Sequence, residues 1–213
     1  MNVENAINTK EDRRIKKSQI TKDRISRAAL SIMTKKGYEQ TTIRGICKEA
    51  KVSIGTYYKY FRTKNDIFFS LYEPADQYFA NTVSQILIGS SATEKVIDFF
   101  RYYARLNINT GIDLLKILYH PDNPWFIKRR PMQLVLENII KNGQTSGEFS
   151  DDMEASKMVD FLFIFMRGCC YNWCMQNGSY DLEAQIVEFI KQVMRAFQNS
   201  MKPMSMLEVG NKS

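Results

Sequence analysis

From Ile25 onward this chain of 213 residues is patterned as helix nearly throughout. Ile25, Ala28, Ala29, Ile32 and Met33 recur at the spacing of one helical face. Ser18 or Thr21 is placed to cap that helix, and Gly37 to stop it. Helical segments are then expected near 64–88 (with a bend at Pro74), 93–106, 108–118, 125–143, 153–176 and 181–200. His120-Pro-Asp-Asn-Pro124 and the stretch 142–152 read as the loops between them. The fold class is therefore all-α. Residues 1–17 are polar and aperiodic and are expected as a mobile basic arm. The residues from about Met201 onward are expected to fray, with 206–213 a tail.

Between the first helix and the segment at 64 lie two short ones. Thr42 caps a helix over about Ile43 to Ala50, and Ser53 caps another over about Ile54 to Tyr60. Thr63-Lys64-Asn65-Asp66 before Ile67-Phe68-Phe69 has the S/T-x-x-D form that starts the next. Two short helices around a tight turn, behind a longer one, make a helix-turn-helix unit.

Charge gives that unit a partner. Residues 1–66 carry 16 Lys and Arg against 7 Asp and Glu, whereas residues 67–213 carry 14 against 16. A basic segment on a near-neutral body suits a polyanion at one end. Other classes fall away. The longest strongly apolar run, Phe161 to Met166, is far too short to span a membrane. The first residues lack the apolar stretch of a secretion signal, so a cytoplasmic protein is expected.

Cys47 stands apart from Cys169, Cys170 and Cys174, none in a CxxC spacing, and no metal or other cofactor is expected. The cysteine cluster reads as small apolar packing, with a thiol redox sensor as the functional alternative. His120, the only histidine, has no identifiable nucleophile or carboxylate partner, so no catalytic residue is expected. The segment Val159 to Met175 is apolar nearly all round, as in a helix at the centre of a bundle or shared with a partner subunit.

The stretch Thr41 to Ile67, TTIRGICKEAKVSIGTYYKYFRTKNDI, resembles the DNA-binding domain of the TetR family of transcriptional regulators. The likeness rests on Thr41, Thr42, Ile43, Ile46, Ala50, Val52, Ser53, Gly55, Thr56, Tyr58, Tyr60, Phe61, Lys64 and Ile67 at fixed spacing. The helix before it, with RAALSIM and then Gly37-Tyr38, is also similar. GQTSGEF at Gly143 to Phe149, and Gly168 with Trp173, look like features of the family's C-terminal half. Three positions depart from the pattern: Lys51 stands for glycine, Cys47 for alanine, and Gly45 for an acidic residue.

The resemblance implies a homodimeric regulator in which residues 18–65 bind double-stranded DNA at a pseudo-palindromic operator. Residues 66–205 then form a helical ligand-binding and dimerisation domain. A repressor released by a small apolar or amphipathic effector is expected; the alternative is an architectural DNA-binding protein of the same fold without an effector. Thr42 and Ser53, at helix N-termini, suit phosphates. Gly55 permits close approach, and Tyr58, Tyr60 and Lys64 offer phosphate donors. Arg44, Ile54, Thr56, Tyr57 and Lys59 are expected to face the major groove. Phe99, Tyr103, Trp125 and Phe165 are the expected lining of the effector pocket.

Overall fold

The computed structural model describes residues 3–87, 89, 91–119, 123, 126 and 129–198. Trp125, His120 and the residues from Met201 onward, including the expected 206–213 tail, lie outside the described residues. The architecture is helical: α1 (Val3–Lys36), α2 (Ile43–Glu49), α3 (Ile54–Tyr60), α4 (Asp66–Tyr78), α5 (Ser84–Ile86), α6 (Ala92–Thr110), α7 (Ile112–Leu118), α8 (Pro131–Thr145), α9 (Ala155–Met175) and α10 (Leu182–Phe197).

The polar arm is corrected first. α1 runs without a break from Val3 through the segment expected to be mobile. No glycine or proline precedes Gly37, and Glu, Lys, Arg and Ala, which dominate the segment, are good helix formers. Periodicity marks only the part of a helix that meets a core. Ile25, Ala29 and Met33 are buried against Ile46, Ala50, Tyr57, Phe61, Ile67 and Phe68, the small core that holds α1, α2 and α3 to the start of α4.

Pro74 lies inside α4, and one turn later the helix widens to π geometry over Phe79–Val83 before α5. The break expected near Asn107 falls at Gly111, whose φ of 84° ends α6 and starts α7. α8 begins at Pro131, a residue suited to the first helical position because its missing N–H has no partner there anyway.

The GQTSGEF stretch has a physical account. A Cβ on Gly143 would lie 2.4 Å from the Phe149 ring, so glycine alone lets that ring bury completely. Gly147, with φ at 77°, turns the chain so that Glu148 reaches the N-terminus of α6. There its carboxylate accepts hydrogen bonds from Ala92 N and Thr93 N, both 2.7 Å, where the helix dipole favours an anion. Burial alone would raise the Glu148 pKa; the bonds from Thr93 and Ala92 outweigh it and hold the carboxyl below its ordinary range.

α9 divides its apolar surface. Met158, Val159, Leu162, Met166, Cys170 and Cys174 are buried, while Phe161, Ile164, Tyr171 and Met175 are exposed on other faces. Among the described residues no helix is long and apolar enough to cross a membrane.

Candidate nucleic-acid interface and effector cavity

Both short helices are capped by the side chains expected to cap them. Thr42 accepts from Gly45 N at 3.1 Å and Ser53 from Thr56 N at 3.1 Å. In the turn between them Lys51 takes φ of 52°, the left-handed conformation that the glycine of the family pattern would adopt freely. Lys51 N donates to Lys48 O at 3.3 Å and Val52 N to Cys47 O at 3.0 Å, closing the turn.

Arg44 on α2 and Ile54, Gly55, Tyr58 and Lys59 on α3 are exposed. A Cβ on Gly55 would meet only Ser53 Oγ, at 3.9 Å, so the start of α3 is unobstructed. Thr56 is half-buried, its hydroxyl 2.9 Å from that of Ser53.

Tyr57 is corrected: it does not face a groove. It is fully buried, and its hydroxyl donates to Thr63 O at 3.0 Å. Tyr58, its neighbour, is 52% exposed. Tyr60 is half-buried and accepts from Ser18 Oγ at 3.3 Å. Lys64 Nζ donates to Tyr38 O at 2.7 Å and sits 3.8 Å from the centroid of the Tyr38 ring, so it also ties the turn before α4 to the loop after α1. Sequence reasoning missed a basic wall: Arg14 and Lys17 on α1 line a shallow groove with Lys59 and Tyr60 of α3. Their charge was visible, but an arm gives charge no fixed place.

A second site lies between α4, α6, α7 and α8. A cavity of about 270 Å³ is walled by Tyr72 and Ala75 of α4, Tyr103, Leu106 and Asn107 of α6, Leu114, Leu115 and Leu118 of α7, and Met132 of α8, with Tyr119, Phe126 and Arg130. Arg130 Nε donates to Asp76 Oδ2 at 3.1 Å, both side chains being nearly excluded from solvent, and its guanidinium lies 4.5 Å from the Tyr72 ring centroid. Met132 N donates to Asp76 Oδ1 at 3.4 Å. Burial pushes the Tyr72, Tyr103 and Tyr119 phenols well above their ordinary range, so all three stay neutral hydroxyls at physiological pH.

Of the expected lining residues, Tyr103 is in the wall. Phe99 is corrected: it is fully buried in solid packing against Phe79, with ring centroids 4.8 Å apart. Phe165 is corrected too: it packs near Phe189 of α10, 6.0 Å between centroids, and lines an open groove on α9 and α10. Tyr72, Asn107, Arg130 and Met132 were missed. The cluster Cys169, Cys170 and Cys174 is buried; burial pushes the Cys170 thiol up to about 12, which makes it a poor nucleophile.

A capped helix-turn-helix with an open, basic face, joined to a helical body that holds a cavity, is the form of a helix-turn-helix DNA-binding regulator. The chain belongs to the TetR family of transcriptional regulators, which are not enzymes: residues 25–71 match the model for "Bacterial regulatory proteins, tetR family" and residues 129–196 that for "YsiA-like protein, C-terminal region". The chain is 24% identical over 165 residues to the fatty acid metabolism regulator protein of Bacillus subtilis, covering 74% of this chain and 85% of that one. Its fold is similar to the crystal structure of FadR from Bacillus subtilis in complex with stearoyl-CoA, with a TM-score of 0.64 at 24% identity over 78% of this chain and 96% of that one. It is similar as well to Thermus thermophilus FadR in complex with lauroyl-CoA, with a TM-score of 0.64 at 22% identity over 82% of this chain and 93% of that one.

Proposed function

We propose that the protein is a cytoplasmic homodimeric repressor that leaves its operator when a fatty acyl thioester fills the cavity between α4, α6, α7 and α8. The observation that carries this reading is the place of α4. One face of α4 is tied to α1 by a 2.7 Å Ser26–Ser70 hydroxyl contact and a 3.2 Å Lys22–Glu73 ion pair. The opposite face supplies Tyr72 and Ala75 to the cavity wall and Asp76 to the Arg130 pair. A ligand that fits one position of α4 better than another therefore biases the position of α1, α2 and α3. Coupling of this kind is typically worth about 1–3 kcal/mol.

Dimerisation supplies the second recognition helix. One short helix reads too few base pairs alone, and two about 34–36 Å apart meet successive major grooves of a pseudo-palindrome. Ile164, Met175 and Phe161 of α9, with Phe189 of α10, offer the apolar face that a partner subunit covers. Acyl chemistry for the effector is supported by the apolar, aromatic-lined cavity with a few polar groups and by the acyl-CoA bound in the similar FadR structures. An architectural protein without an effector has no use for such a cavity.

The test is a gel-shift titration of the full protein on its selected DNA with acyl-CoA. Release of DNA by submillimolar acyl-CoA, and not by free coenzyme A, is expected. DNA retained at every concentration overturns the effector reading.

A further inference from the structure

We propose that a cluster of aromatic rings behind Tyr103 acts as a length gauge, limiting the acyl group this protein accepts to one of medium length. The inference rests on the acyl-thioester reading above and adds the size of the ligand. A cavity of ~150 Å³ takes up a benzene ring, so the ~270 Å³ here has room for roughly eleven heavy atoms. An octanoyl or decanoyl group fits that space. A stearoyl group, with about 19 heavy atoms, exceeds it by roughly 70%.

What lies beyond the cavity wall decides whether the space can extend. Tyr103 forms the wall and makes edge contacts with Phe100 and Phe163, at 6.0 and 5.7 Å between centroids. Phe163 in turn meets Phe99 and Phe100 at 6.1 and 5.7 Å, and Phe99 meets Phe79 at 4.8 Å. These rings come from the π-helical turn after α4, from α6 and from α9, and fill the volume between those elements. Phe79, Phe99 and Phe100 are fully buried. Edge-to-face contacts of this kind are favourable beyond their buried area, so the cluster resists opening. Arg167 adds a clamp: Nη1 donates to Phe126 O at 2.9 Å, and the guanidinium lies 5.0 Å from the Phe126 ring and 5.7 Å from the Phe163 ring. Behind Tyr103 the cavity is therefore stopped by packed rings, while Asn107, Asn109 and Thr110 add polar groups to its lining.

The experiment is calorimetric titration of the full-length protein with a ladder of butyryl-, octanoyl-, decanoyl-, palmitoyl- and stearoyl-CoA. Affinity is expected to peak at octanoyl or decanoyl and to fall at least tenfold by stearoyl. Phe163→Ala, or the milder Phe99→Leu where the first does not fold, removes ring volume next to Tyr103. Either is expected to recover at least half of the lost stearoyl affinity on a logarithmic scale while leaving octanoyl binding within threefold. Affinity that climbs steadily through stearoyl in the natural protein overturns the gauge and leaves the acyl-thioester reading standing. Binding of no member of the ladder overturns that reading and the gauge with it.

Discussion

Lys51→Gly is expected to stabilise the protein. Lys51 is exposed and holds φ at 52° between α2 and α3. A residue with a Cβ gives up about 1–2 kcal/mol in that conformation, whereas glycine adopts it freely. Against this, glycine widens the unfolded ensemble, which costs about 0.4–1 kcal/mol on folding. The net gain is about 0.5–1 kcal/mol, or roughly 1–4 °C in Tm for a chain of this size. Thermal melts followed by circular dichroism read this directly, and gel shifts on the same samples read DNA affinity. Asn177, at φ of 51° after α9, is a control: Asn tolerates the left-handed region, so Asn177→Gly is expected to give the smaller gain. An unchanged or lowered Tm for Lys51→Gly refutes the strain argument. A loss of DNA affinity at unchanged Tm assigns Lys51 to a phosphate instead.

Other substitutions probe other parts of the account. Tyr57→Phe removes the hydroxyl that bonds Thr63 O and is expected to cost about 1 kcal/mol in a denaturant titration without altering base preference, whereas Arg44→Ala is expected to relax preference at one base step by roughly 1–3 kcal/mol. Asp76→Ala leaves the Arg130 charge buried and is expected to destabilise by about 3–5 kcal/mol in the same titration. Glu148 has a carboxyl pKa held below its ordinary 4.5, so its contribution to stability is complete above that value and is lost as pH falls through the folded-state value. Acid melts of Glu148→Gln are therefore expected to be less steep than those of the natural protein. Ile164→Asp, on the exposed face of α9, is expected to yield monomers by light scattering and to abolish tight operator binding.

The helix-turn-helix was legible because its signals are local. Caps at Thr42 and Ser53 and a turn residue at Lys51 depend on neighbours within four positions, and the backbone there follows them. Which tyrosine of α3 faces outward is a different matter. Tyr57 and Tyr58 are the same residue type about 100° apart on the helix, and only the position of α2 and Thr63 turns the first inward. The cavity was the least legible part. Phe99 and Tyr103 lie four apart on one face of α6, so the pattern marks both as core. A void is a mismatch among four helices, and no periodicity encodes it. The long α1 was missed because its polar half buries no periodic face, though its residues favour helix without one.

Selection of bound DNA from a random pool by the full-length protein tests the central claim most directly. The account predicts enrichment of inverted half-sites whose centres lie about one helical turn apart or a multiple of it, with Arg44→Ala losing selectivity at one position in each half. A pool that enriches no sequence, or one half-site without its inverted copy, contradicts it.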